Sequence, residues 1–372
     1  MPSGNEKTKF KLIQINDLFL LNGGSVSREH FSSLDGLRSL ACLGIVVMHI
    51  QENLPMQSTR IPVVSDVIGV AGDFVLLFMM ISAFSLCCGY LQNFQEGKIS
   101  LEKFYTKRYK RILPFFALLT IIDVLFCCFS NHFVFSEIII GELWEAFANF
   151  TLLFGLVSGN HISVIGVGWF IGVIFFFYLL FPFYSTLLTN KKKAWFAFAV
   201  SIMWSIAIKY YFAPVQGSFS GNTCMLVIAP YFMMAGIIYL YRNTLKSLME
   251  NRPLRIVTKT FVILYSFLYF LIPEIRFPYS NLLLYVLWLI YAIVEKNEKK
   301  SFLNNPVMKY ISGISMEIYL CHMFFFRITE SIHLGKLTNN PDVIFYTTFL
   351  LVVSGTILFS KAWKRVEKKI IK

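Results

Sequence analysis

A chain of 372 residues that is 56% hydrophobic and 17% aromatic, with a mean hydropathy of +0.62, is not a soluble globule. Several runs reach the ~20 apolar residues that a bilayer crossing needs, so the sequence reads as an all-α, polytopic membrane helix bundle. The net charge of +13 suits a nucleic-acid partner only if the basic residues cluster on one soluble face; they fall between apolar runs instead, which argues for lipid headgroups and against nucleic acid.

In chain order, residues 1–33 form a mixed arm with Lys7, Lys9 and Lys11 and a Gly-rich break at Asn22-Gly-Gly-Ser25, without the pattern of a cleaved signal. Residues 10–21 are a candidate for lying on the membrane surface. An integral-membrane domain is expected over 34–365 and a basic tail over 366–372. Ten spans are expected at about 37–52, 67–91, 112–130, 166–187, 195–213, 223–242, 255–273, 279–295, 310–329 and 343–362.

The basic clusters fix an orientation. Lys98 to Arg111, Lys191 to Lys193, Arg242 to Arg255, Lys296 to Lys309 and Lys361 to Lys372 all fall on one side, whereas Arg60, Arg276 and Lys336 are the main cations of the other. By the positive-inside rule both termini are cytoplasmic, in a multi-pass protein of a bacterial-type cell membrane. Residues 134–157 are apolar but carry Glu137, Glu142 and Glu145; an extra span there would invert every later loop. An amphipathic segment lying on the outer surface, or dipping in from it, is expected, either as plain packing or as the wall of an outer cleft. The seven cysteines lie in apolar runs, are odd in number and show no C-x-x-C spacing, so they read as small core residues with neither a disulfide frame nor a metal site.

The first span carries the least expected residues. In Leu34-Asp-Gly-Leu-Arg-Ser-Leu-Ala-Cys-Leu-Gly-Ile-Val-Val-Met-His-Ile50, Arg38 and His49 stand close to three helical turns apart, within about 20° of one face and separated by roughly 16 Å of rise. An Arg in a span costs roughly 2.5–3.5 kcal/mol on insertion scales and normally faces a bundle interior or a wet cavity. The pair therefore points to a polar shaft, with Arg38 at the inner mouth and His49 towards the outside. Asp35, one turn before Arg38, either pairs with it or joins the site. A packed, hydrogen-bonded histidine is the bland reading of His49; beside Arg38 on the same face the functional reading takes precedence.

Further intramembrane candidates are Asp73, Asp123, Glu317 and His322. Asp73 lies at a depth similar to His49, where a carboxylate could orient the imidazole or cap a helix start. Asp123 has the same two readings. Lys209 and Arg327 sit near span ends and are expected to snorkel.

These residues carry a resemblance. The Leu34–His49 segment resembles the signature of the membrane acyltransferase-3 family, whose members acylate surface glycans. Val75 to Phe84 is similar to the family's second span, and Phe104-Tyr-Thr-Lys-Arg-Tyr-Lys-Arg-Ile-Leu-Pro114 to its basic loop, with Arg-x-x-Arg before an apolar pair and Pro. Trp169 to Pro182 resembles the tryptophan-led fourth span, and Ile314-Ser-Met-Glu-Ile-Tyr-Leu-Cys-His322 the late Ser-x-x-Ile-Tyr-Leu-x-His segment. Departures are Ala83 for the family's Gly, Leu76 where some members carry Asp, and Ile174 where many carry Glu. Glu317 is a candidate to compensate for that missing carboxylate.

The resemblance implies a membrane O-acyltransferase, most simply an O-acetyltransferase, without the esterase-like domain fused to some members. Acetyl-CoA, or another acyl-CoA, would be a donor substrate rather than a permanently bound cofactor. The acceptor would be a hydroxyl of a surface polysaccharide or lipid-linked glycan. His49 is the expected general base, by direct transfer or through an acyl-histidine. Arg38, Arg108 and Arg111 are expected on coenzyme A phosphates, the last two sharing a helix start. Ser82 and Tyr178 are candidate oxyanion donors and Trp169 a supporting residue. Two other classes stay open: a transporter or flippase for lipid-linked sugars, and a non-catalytic partner in glycan assembly. The transporter reading predicts matched Gly or Pro breaks in two halves, and Pro114, Pro182 and Pro230 show no such period. Exposed aromatic faces are normal towards lipid and fix no oligomeric state.

Overall fold

The computed structural model describes residues 31–54, 67–134, 136–156, 166–212, 224–295 and 301–370, and every regular element among them is helical. Nearly all of the N-terminal arm, its 10–21 segment included, lies outside the described residues. The helices are α1 (Ser32–Asn53), α2 (Val67–Gln95), α3 (Leu101–Ser130), α4 (Glu137–Thr151), α5 (Gly166–Leu187), α6 (Lys191–Phe212), α7 (Met225–Leu248), α8 (Arg252–Leu271), α9 (Ser280–Val294), α10 (Pro306–Gly313), α11 (Ser315–Ser331) and α12 (Pro341–Ile370).

Among the described residues eight helices are long and apolar enough to cross a membrane: α1, α2, α3, α5, α6, α7, α8 and α12. The ninth expected span is broken. α10 and α11 pass the test together but are bent by 72° at Ile314. The eighth, α9, is apolar but only 15 residues long. Each expected span thus meets a helical element, two of them in altered form.

Local chemistry explains several starts. Ser100 caps α3 by accepting from the Lys103 amide, Asn190 caps α6 through Lys192, and Asn251 caps α8 through Leu254. Asn305 accepts from the amides of Val307 and Met308, with Pro306 in the first turn of α10. The Ser100 cap starts α3 well before its apolar run, so Pro114 lies inside that helix; Pro182 and Pro230 likewise fall within α5 and α7.

α1 is the hub. It packs against α2, α9, α10, α11 and α12, and half of its residues are buried. Gly36 permits the closest of these contacts: a Cβ there would collide with the Leu303 backbone just before α10. Outward faces are apolar too. α8 presents Val257, Ile263, Leu264 and Phe267 to its surroundings, more exposed hydrocarbon than a soluble surface carries and as expected of a face towards lipid. α4 folds back along α3, and its last residues accept a hydrogen bond from Tyr109 Oη, in the first third of α3 (Thr151 O, 2.7 Å). The 154–156 turn packs on α5 at the close approach of Gly155 to Gly172, where neither position has room for a side chain. α4 lines neither of the cavities described next.

Candidate active site

Arg38 and His49 project from one face of α1 into two different cavities. The Arg38 cavity, of about 400 Å³, is bounded by α1, α2, α3, α5 and the α10–α11 bend. Arg38 donates from Nη1 to Asp35 Oδ1 (3.3 Å) and Ser312 Oγ (3.3 Å), and from Nη2 to Ser85 Oγ (3.4 Å). Ser312 donates in turn to Asp35 (2.9 Å), so α1, α2 and α10 are tied together around the guanidinium. Asp35 pairs with Arg38 and also lines the cavity.

α3 brings Arg108 and Arg111 to the same cavity. Arg108 donates from Nη2 to Tyr90 Oη (2.6 Å) and stacks over the Tyr90, Phe104 and Tyr178 rings. Tyr90 is positioned by a π-helical turn, Cys87–Leu91, a local widening of α2 of the kind found at functional sites. Arg111 makes no ion pair or hydrogen bond among the described residues and is exposed at the rim. α3 begins at Leu101, so Arg108 and Arg111 lie two turns and more inside it; the expected contribution from a helix start falls away. Three guanidinium groups face one carboxylate here, in walls otherwise dominated by apolar side chains such as Phe78, Ile112 and Phe170. That excess of fixed positive charge calls for an anion. Ser82, Tyr178 and Ile174 line the same space.

The second cavity, of about 690 Å³, holds His49, Trp169 and Asp73. Asp73 does not reach His49. It accepts from Asn281 Nδ2 (3.1 Å), and Tyr231 Oη donates to Asn281 Oδ1 (2.7 Å). Lys209 does not simply snorkel: from the π-turn at the end of α6 it lines this cavity, with Nζ 5.4 Å from the Tyr279 ring centre. The side chain on the His49 ring is His322. Its Nε2 lies 3.0 Å from His49 Nδ1, and its own Nδ1 lies 2.6 Å from the Tyr319 carbonyl oxygen.

Among the described residues the two cavities have one lining residue in common, Tyr319. Its ring packs against Phe78 and Phe170 at 6.2 and 6.0 Å, and its hydroxyl donates to Val167 O (2.7 Å). The polar shaft expected from α1 is therefore two chambers separated by an aromatic layer.

Two candidates stand elsewhere. Asp123 pairs with Arg327 (3.4 Å) and lines neither chamber. Glu317 points away from both, fully buried, and pairs with Lys364 Nζ of α12 (2.6 Å); it does not substitute for a carboxylate at Ile174. Sequence reasoning did not single out Ser85, Tyr90, Ser312, Tyr319 or Asn281 as site residues. Of these Tyr319 had a signal, its place in the Ser-x-x-Ile-Tyr-Leu-x-His segment.

Comparison with known proteins gives a concordant result. The family model Acyl_transf_3, described as an acyltransferase domain, matches residues 31–360. Staphylococcus aureus proteins of strains COL and MRSA252, named "Putative O-acetyltransferase", are 23% identical to this chain over 366 residues, covering 90% of it. The chain spans 56% of the length of those relatives. No solved structure matches the chain.

Proposed function

This chain belongs to the membrane acyltransferase-3 family, and from that premise we propose that it moves an acyl group, acetyl in the simplest case, from cytoplasmic acyl-CoA to a hydroxyl of an extracytoplasmic or lipid-linked glycan. One observation carries the reading: a chamber with three guanidinium groups against one carboxylate meets, at a single tyrosine, a chamber that holds an imidazole. Acyl-CoA is an anion with a long neutral arm, which suits a basic rim leading into apolar walls.

In this reading Arg111 and Arg108 hold coenzyme A phosphates at the mouth and Arg38 the arm deeper in. The acyl end reaches the Phe78–Phe170–Tyr319 layer. In the outer chamber Trp169, Tyr231 and Asn281 offer the ring faces and amide groups that sugars bind. His49 takes the proton of the acceptor hydroxyl as its oxygen attacks the thioester carbonyl, a general-base step typically contributing 10²–10⁴-fold. As the new C–O bond forms, the C–S bond breaks, its electron pair leaves with sulfur, and the imidazolium returns the proton to the thiolate. Ser82 and Tyr178, two of the hydroxyls that line the donor-side chamber, stabilise the oxyanion in this reading.

The test is acetyl-CoA consumption by the purified protein in liposomes, with ester-linked acetyl on the glycan read by NMR. Wild-type protein should make the ester, and His49→Ala or Arg38→Ala, inserted at equal levels, should not. Full ester formation by either variant would overturn the mechanism. Movement of lipid-linked sugar without acyl-CoA consumption would favour a conduit instead.

A further inference from the structure

We infer that His322 is a positioning residue that fixes the tautomer of His49, leaving the lone pair of the reacting imidazole on Nε2. The inference rests on the acyl-transfer reading for its chemistry, though the tautomer itself follows from geometry alone.

The direction of the hydrogen bonds is set at one end by a group that cannot donate. The Tyr319 carbonyl oxygen lies 2.6 Å from His322 Nδ1, so that nitrogen carries hydrogen. In neutral imidazole the other nitrogen then presents a lone pair. His322 Nε2 lies 3.0 Å from His49 Nδ1, which must therefore be the donor. Neutral His49 is left with its acceptor on Nε2. The order runs from a backbone carbonyl of α11, through a fully buried ring, to a half-buried ring that lines the outer chamber.

The Ile45 carbonyl, one turn earlier on α1, also accepts from the His49 ring. Of the two carboxylates that line the chamber, Asp73 is held by Asn281, and Glu52 is exposed and makes no hydrogen bond to the ring among the described residues. The two histidines are not part of a metal set either: among the described residues no three His, Cys, Asp or Glu side chains gather. The arrangement parallels the third member of a hydrolase triad, with a neutral acceptor in place of a carboxylate. When Nε2 takes the hydroxyl proton, the Nδ1–H of the imidazolium still points at the His322 lone pair, so the new charge is met by a fixed acceptor in a site shielded from water. His322 touches neither substrate, and its effect passes entirely through His49.

The test compares His322→Phe, which keeps a ring without nitrogen, with His322→Gln, which keeps an acceptor. In liposomes, His322→Phe should lower kcat by about 10²-fold, as loss of one general-base contribution implies, while acyl-CoA binding stays within about twofold of wild type. His322→Gln should recover at least about a tenth of the wild-type rate. Equal losses in both variants, an unchanged kcat in the Phe variant, or loss of acyl-CoA binding in step with kcat would each overturn the inference. Nitrogen-15 solid-state NMR of labelled histidine in lipid reads the tautomer without turnover: wild-type His49 should show its unprotonated nitrogen at Nε2, and His322→Phe a mixture. A wild-type signal at Nδ1 sinks this inference, whereas the expected signal with no acyl transfer sinks the transfer reading alone.

Discussion

Arg38 and His49 share one face of α1 yet open into different chambers, with Tyr319 bordering both. A helix that crosses a membrane can in this way present a charge to one compartment and a base to another. The aromatic layer at Tyr319 decides whether the two communicate. Removing it should therefore uncouple donor from acceptor. Tyr319→Ala is expected to raise acceptor-independent hydrolysis of acyl-CoA by about tenfold, because water from the outer chamber gains access to the thioester. Tyr319→Phe, which loses only the bond to Val167, should hydrolyse little more than wild type. Release of free coenzyme A without glycan present measures both.

Arg38 is bonded in three directions, to Asp35, Ser312 and Ser85. A lysine supplies the charge but not the planar fork. Arg38→Lys should insert normally and weaken acyl-CoA binding by about tenfold, the scale of one charge-assisted hydrogen bond. Calorimetric titration in detergent checks it; unchanged affinity would rule out the proposed role of Arg38 in donor binding.

The rim arginines should act mainly on affinity and its salt dependence. Arg108→Ala combined with Arg111→Ala is expected to weaken acyl-CoA binding by about 10²-fold and flatten its dependence on ionic strength. Substrate lacking the adenosine phosphates, such as an acyl-pantetheine, should be nearly indifferent to the change. Equal loss with both substrates would place these arginines in a structural role.

Glu317 and Lys364 make a prediction about stability rather than activity. The carboxylate is fully buried, and Lys364 also contacts Glu367 (2.7 Å). Lys364→Met leaves that charge without its partner on α12 and should destabilise the fold by about 3–5 kcal/mol. Glu317→Gln with Lys364→Met should recover most of the loss. Thermal unfolding in detergent gives the cycle, and acyl transfer per folded molecule should stay near wild type, because neither residue lines a chamber.

Gly36 tests the assembly of the hub. Alanine there meets the Leu303 backbone, which cannot rotate away as a side chain can. Gly36→Ala should cost about 1–3 kcal/mol or more and shift the α1–α10 contact that holds Ser312 against Arg38. A lowered Tm together with weakened acyl-CoA binding is the expected pair of results.

Arg38 and His49 were legible because a span that carries ionisable residues must give them a protein-lined place, and an eleven-residue spacing sets them on one face whatever surrounds the helix. The apolar runs likewise announced the helices. What lies opposite a residue was not legible. His322 is 273 positions from His49, and periodicity reports which face a side chain takes but not which helix lies against it. Asp73 had the right depth and chemistry for the histidine but was given to Asn281 by packing. Glu317, chemically the more unusual residue, found its partner on α12. The start of α3 was misplaced for a simpler reason: the Ser100 cap begins the helix well before its apolar stretch, and charge alone had marked that region as loop.

Tyr319 contributes two separate parts, a side chain and a backbone group. Its ring, on rotatable bonds, stands in the partition between the chambers; its carbonyl, locked in the α11 backbone, anchors His322. Under the proposed transfer, turning the ring aside to let a thioester through would leave the anchor where it was. Traffic and proton handling would then be governed by a single amino acid without either disturbing the other, so that resizing the doorway would not cost the histidines their alignment.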